Sequence, residues 1–226
     1  MVIIPFELAS SFNTTAKSGV IAKTKKLQKD FSKLVVLTDT LSKEPINICG
    51  IDVAYRKNVA FCSAVLMNTQ TMKIMKEINE SSLVTSPYIP GYLMLRESEA
   101  LLSILKPLKS CIDVLLIDGH GILHPRKCGL ASYVGILLNI PTIGVAKSVL
   151  CGMIREDHSI LVDGVLSGFE LIRSNKKPIY ISVGHGLTLD AAVNIVCSLI
   201  LPNERIPEPL RLADRFSKNQ ARNSKT

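Results

Sequence analysis

The sequence predicts an α/β fold, a mixed central sheet flanked by helices, and three observations carry that expectation. Hydrophobic residues make up 47% of the 226 positions while aromatics make up only 5% and Trp is absent, so the core must be aliphatic. Such a core suits buried strands covered by helices. Three apolar strand-like runs follow one another across short polar turns, which predicts a three-strand antiparallel meander. Beyond them helical and strand-like patterns alternate, as in a sheet whose later strands are parallel.

Taken in order, residues 17–34 set Ile21, Leu27, Phe31 and Leu34 at helical spacing among lysines. The basic face of that helix reads equally as a solvated surface and as a phosphate contact. After the loop 42–45, strands are expected at 47–54, 60–67 and 71–78, with turns at 56–58 and 68–70. A Pro-bounded loop at 86–91 leads into a helix over 92–105, which Pro107 ends. The almost wholly apolar run 113–118 predicts a central strand covered on both faces. A helix over 128–138, a strand at 141–145, a hairpin from 152–163 and 164–170, a strand at 178–183 and a helix over 189–201 follow. Residues 1–215 form one expected domain with its core at about 45–202, and the basic tail 216–226 is expected to be disordered.

The formal net charge of +8, with a pI near 9.2, favours a polyanionic partner such as nucleic acid. Six cysteines are scattered without a CxxC pair, which argues against a zinc site and a disulfide framework and suits a reducing compartment. The longest apolar run, 133–146, is broken by Asn139 and Pro141 and falls short of the ~20 residues needed to span a bilayer. No leader pattern opens the chain. The expectation is a cytoplasmic monomer with no membrane partner.

Asp52 lies inside an apolar strand and Asp118 ends another. A carboxylate beside a core is costly unless it is paired, hydrogen-bonded or bound to a metal, so two such positions call for a shared cation. Glu97 and Glu99 both lie early in the helix after the Pro-rich loop, and pattern alone does not choose between them. The segment from Asp118 to Arg126 sets an acid, His120, His124 and a guanidinium just past a buried strand, where ligands bind in open α/β sheets. Gly119 and Gly121 permit close backbone approach, His124 suits proton transfer or orientation of a water, and Arg126 suits a phosphate. His120 and His124 lack the further ligands that a zinc site needs. Lys147 ends a strand, placed to neutralise charge developing on a phosphate. His185 reads as a structural hydrogen-bonding residue.

With those residues assembled, the sequence resembles the endonuclease V family, inosine-directed nucleases with a ribonuclease-H-like fold. The matching stretches are GIDVAY (50–55), PYIPGYLMLRE (87–97), IDGHGILHPRKCGLASYVG (117–135), PTIGVAKS (141–148), SVGHGLTLDAA (182–192) and RIPEPLRLAD (205–214). The resemblance implies that Asp52, Glu97 and Asp118 bind Mg²⁺, with Mn²⁺ able to substitute, and adds Asp214 as a further ligand or near neighbour. It makes His124 and Lys147 act beside the metals, and Tyr88 and Pro90 part of a wedge that fills the gap left by a flipped base. Gly91, Leu93, Gly119, Gly121, Gly129 and Ala146 resemble the lining of a hypoxanthine pocket. The implied activity is repair-type cleavage of inosine-containing DNA, RNA or both at the second phosphodiester bond 3′ to the lesion, leaving 5′-phosphate and 3′-hydroxyl ends. The alternatives are an inosine-specific endoribonuclease, a ribonuclease-H-like phosphotransferase and a non-catalytic inosine-binding protein.

Overall fold

A computed structural model describes residues 14–173 and 175–224. Nine strands form one mixed sheet in the order β3-β2-β1-β4-β5-β9-β8-β7-β6. The meander is β1 (Asn47–Arg56), β2 (Val59–Asn68) and β3 (Lys73–Leu83), each antiparallel to the next. Strands β4 (Val114–Ile117) and β5 (Thr142–Ala146) then add parallel to β1 on its other side. The last large strand, β9 (Ile179–His185), pairs antiparallel with β5, a direction that its apolar run does not specify. The expected hairpin is present as β7 (Ser159–Val162) and β8 (Val165–Leu171), turned by Asp163 and Gly164 with φ of 52° and 75°. Positive φ at both central residues matches strand twist in a two-residue turn. The short β6 (Met153–Ile154) extends it to three strands.

Helices α1 (Thr14–Ser32), α2 (Leu93–Leu105) and α3 (Leu130–Leu138) lie on one side of the sheet, where Phe31, Leu101, Leu105, Tyr133 and Val134 pack with Ile51, Leu115 and Ile117. On the other side α4 (Leu189–Ser198) buries Ala192 and Val196 against Leu116, Ile143 and Val183. Alternate residues of β4 thus serve opposite layers, which is why its sequence is apolar throughout. Among the described residues no helix is long and apolar enough to cross a membrane.

The tail differs from expectation. Instead of fraying after 215, the chain forms helix α5 (Glu208–Asn223), laid along β1 and β2. Its buried face is Leu210, Ala213, Ser217 and Ala221, a stripe of mostly small residues that hardly raises hydropathy but repeats at helical spacing. Arg56 donates to the carbonyls of Ala221, Arg222 and Ser224, where a helix presents unpaired acceptors and partial negative charge. The backbone of Gly50 touches the other end: a Cβ there would lie 2.3 Å from the carbonyl carbon of Pro209. From Pro209 to Ala221 the helix rises about 18 Å and from Gly50 to Arg56 the strand rises about 20 Å, so the two run side by side in the same direction.

Candidate active site

The register of β1 with β4 builds the centre of the site. Ile51 pairs with Ile117, so Asp52 and Asp118 emerge side by side one residue further on. Helix α5, held close by Gly50, brings Asp214 over the same point. One oxygen from each of Asp52, Asp118 and Asp214 lies within 4.8 Å of the others. Sequence pattern offered no reason of its own to include Asp214, because its placement depends on where α5 docks.

The electrostatics of these groups are compatible with a bound cation. Asp52 is 9% exposed, and burial followed by the neighbouring Asp118 pushes its carboxyl up to about 7. Ser217 Oγ donates to it at 3.2 Å. Lys147 Nζ donates to Asp118 Oδ2 and, at 2.8 Å, to Asp214 Oδ1. Burial opposes the charge on Lys147, but the two carboxylates outweigh it and hold its proton more tightly than usual. Lys218, one turn after Asp214 on α5, contacts both of its oxygens at 2.8 and 2.7 Å. Burial opposes ionisation of Asp214 too, yet these two ammoniums keep its carboxyl below the ordinary range.

Glu97 is buried and Glu99 exposed, a difference that periodicity does not show. Glu97 nevertheless stands outside the close carboxylate group. Tyr55 OH donates to its Oε1 at 2.7 Å, and the Arg96 guanidinium lies 4.1 Å over the Tyr55 ring. Burial pushes the Glu97 carboxyl up to about 8; the Tyr55 bond opposes this, while Asp52 and Asp118 add to it. Hard oxygen donors from separate elements, two of them poorly ionised without a counter-charge, suit a divalent cation. No group of three or more His or Cys ligands gathers among the described residues.

Beside the acids, a cavity of about 210 Å³ opens under the loop 86–92. Of the expected pocket residues, Gly91, Leu93, Gly119, Gly129 and Ala146 line it, together with the expected wedge residue Tyr88, and Asp118 and Lys147 stand at its charged edge. Gly121 does not: it packs on the backbone of Val183, where a Cβ would lie 2.0 Å from the carbonyl oxygen, and donates to Ser182 Oγ. Pro90 is exposed on the loop outside the lining, and Tyr88 is 64% exposed.

His124 and Arg126 are turned toward the scaffold. His124 Nδ1 accepts from the Arg126 backbone N–H at 3.2 Å, so Nε2 carries the hydrogen and donates to Gly91 O at 2.9 Å. Burial lowers its pKa to about 4 and keeps the ring neutral, with neither nitrogen free toward the carboxylates. Arg126 donates to Gly91 O and to Gln28 Oε1 and stacks 4.3 Å over Tyr92, so its guanidinium is already partnered. His120 also lines the cavity and is kept neutral by burial, its pKa near 4. His185 accepts from the Val36 N–H at 3.3 Å, the structural part expected of it.

Sequence reasoning missed Gln28, Ser217, Lys218 and the wall formed by Ser148, Val149 and Leu150. Gln28 carried a signal: it falls on the buried face of α1 with Val20, Thr24 and Phe31, where a polar residue needs a partner.

A sequence model of the family described as Endonuclease V matches residues 29–215. Endonuclease V of Rippkaea orientalis is 38% identical over 212 residues, covering 88% of this chain and 91% of that protein. The crystal structure of human ENDOV superposes with a TM-score of 0.81 at 31% identity, covering 91% of this chain and all of the human chain. The Ciona intestinalis endonuclease V in complex with a DNA 24mer containing an inosine followed by a ribo-adenosine gives 0.79 at 28% identity, with 89% and 98% covered.

Proposed function

The chain belongs to the endonuclease V family and is a nuclease acting on phosphodiester bonds, and from that premise we propose that it is a metal-dependent endonuclease directed to inosine in DNA, RNA or both. The observation that carries the reading is the adjacency of the Asp52, Asp118 and Asp214 oxygens to a cavity edged by Asp118 and Lys147. A base flipped into that cavity leaves its backbone beside the acids.

Asp52, Asp118 and Asp214 would hold the divalent cation, Mg²⁺ with Mn²⁺ able to substitute, and Glu97 stands behind them. When bound, such a cation supplies an activated water and neutralises charge on the scissile phosphate. Lys147, now shared between Asp118 and Asp214, brings an ammonium to the same phosphate. Tyr88 enters the gap left in the base stack, and Gly91, Leu93, Gly119, Gly129 and Ala146 enclose the base. His124 and Arg126 hold Gly91 rather than handle protons. Hydrolysis falls at the second phosphodiester bond 3′ to the lesion and leaves 5′-phosphate and 3′-hydroxyl ends. Cysteines without disulfide partners suit the cytoplasm as the place of action.

The test is cleavage of matched DNA and RNA oligonucleotides bearing inosine or adenosine at one position, with Mg²⁺ and with EDTA. Strongly preferred nicking of the inosine substrates in Mg²⁺ is the expected result, and product sizing reads the bond cut. Equal treatment of inosine and adenosine, or cutting in EDTA, overturns the reading.

A further inference from the structure

We propose that Gln28 is a positioning residue for lesion recognition: it latches helix α1 to the carboxyl end of the Tyr88 loop and fixes that loop over the cavity. The inference rests on the reading of the cavity as the site of the flipped base.

Gln28 is 1% exposed and uses both amide hydrogens as well as its oxygen. Oε1 accepts from Arg126 Nε at 2.6 Å, while Nε2 donates to Cys128 O at 2.9 Å and to Gly91 O at 3.2 Å. The other polar residue on this face, Thr24, is satisfied within the helix by Val20 O. An aliphatic residue would bury at position 28 with no polar group to satisfy, so the amide is explained by the three partners it joins. Those partners lie on two segments distant in sequence, and both line the cavity, as Gln28 itself does.

The bonds converge on one atom. Gly91, with φ at +78°, turns its carbonyl inward to accept from Gln28 Nε2, His124 Nε2 and Arg126 Nη2. At the loop's other end Arg96 Nη1 donates to Ser86 O at 3.0 Å. The loop is therefore fixed at both feet, and Tyr88 stands exposed between them. A side chain that must enter a base stack gains from such fixed feet, because the ordering cost is met before the substrate arrives.

The experiment compares wild type, Gln28→Leu, Gln28→Glu, Tyr88→Ala and the double variant Gln28→Glu with Tyr88→Ala. Steady-state cleavage of inosine and adenosine oligonucleotides in Mg²⁺ is read beside thermal midpoints. Gln28→Glu keeps the acceptor for Arg126 and removes both donors. The expected result is a loss of about tenfold in inosine preference, the size of one or two buried hydrogen bonds, falling on KM rather than kcat. In the Tyr88→Ala background the Gln28 change should add little, because both act through one loop. Equal losses on both substrates that track the thermal midpoint, or fully additive losses in the double variant, overturn the proposal. If Gln28→Leu fails to fold, the Gln28→Glu cycle alone decides. If wild type shows no inosine preference, the reading of the cavity fails first and this inference falls with it.

Discussion

On one side of the Asp118–Gly119 peptide the protein gathers four carboxyl groups, and on the other it gathers neutral groups whose hydrogen bonds are largely made. Asp118 and Asp214 share Lys147, but among the described residues Asp52 and Glu97 have no salt bridge, and burial leaves both reluctant to ionise. In the cavity His124 is uncharged and fully engaged, and Gly91 holds three donors on one oxygen. The acid cluster thus holds two carboxyls without a counter-charge that a cation would supply, whereas the cavity is a preformed surface that a base would enter, with His120 Nδ1 its one buried ring nitrogen left unpartnered among the described residues. Chemistry and recognition should accordingly separate under mutation.

The largest effect that would sharpen this contrast is expected from Asp118→Ala: cleavage should drop by ~10²-fold or more while binding of an inosine oligonucleotide persists. Fluorescence anisotropy beside a nicking assay measures both, and binding lost in parallel would mean that the two regions are one. Gly50→Val should come next. The added side chain meets the Pro209 backbone, pushes α5 away from β1 and moves Asp214, at a cost of ~1–3 kcal/mol in stability together with weaker Mn²⁺ binding by calorimetry. Tyr88→Ala should remove ~1–3 kcal/mol of inosine-specific binding by analogy with base stacking, with metal binding unaltered.

The pH dependence tests the charge side by itself. Asp52 and Glu97 have folded values raised to about 7 and about 8, so the metal-free folded state keeps protons that the unfolded chain has already lost. Stability then falls as pH rises through this range. His120 and His124, lowered to about 4, act oppositely, and their effect fades as pH rises past their ordinary value of 6.5. Between pH 7 and 8 the carboxyls outweigh the fading contribution of His120, His124 and His185, and the EDTA-treated protein should lose thermal midpoint across that window. Asp52→Asn should flatten the slope, and an unchanged slope would contradict the placement of Asp52. The smallest effect is expected from Lys218→Gln, whose partly exposed ion pair with Asp214 is worth at most ~1 kcal/mol, read as a slight change in Mn²⁺ affinity.

By itself the sequence determined the order and type of almost every element through Ser198, because periodicity of apolar residues is a local property written along the chain. It also marked Asp52 and Asp118, since a carboxylate inside or ending an apolar run is anomalous wherever the strands pair. Family motifs within the sequence selected Glu97 and added Asp214 provisionally. Tertiary structure alone decided the rest. The burial of Glu97 against the exposure of Glu99 follows from how α2 packs, since periodicity there left the choice open. Helix α5 was hidden because small residues pack closely without being hydrophobic, so its docking on Gly50, and with it the reach of Asp214 to Asp52, is a matter of backbone approach across more than 150 residues. The turn of His124 and Arg126 toward Gly91 and Gln28 is equally non-local: which donor faces which carbonyl is fixed only when three segments distant in sequence close around one cavity.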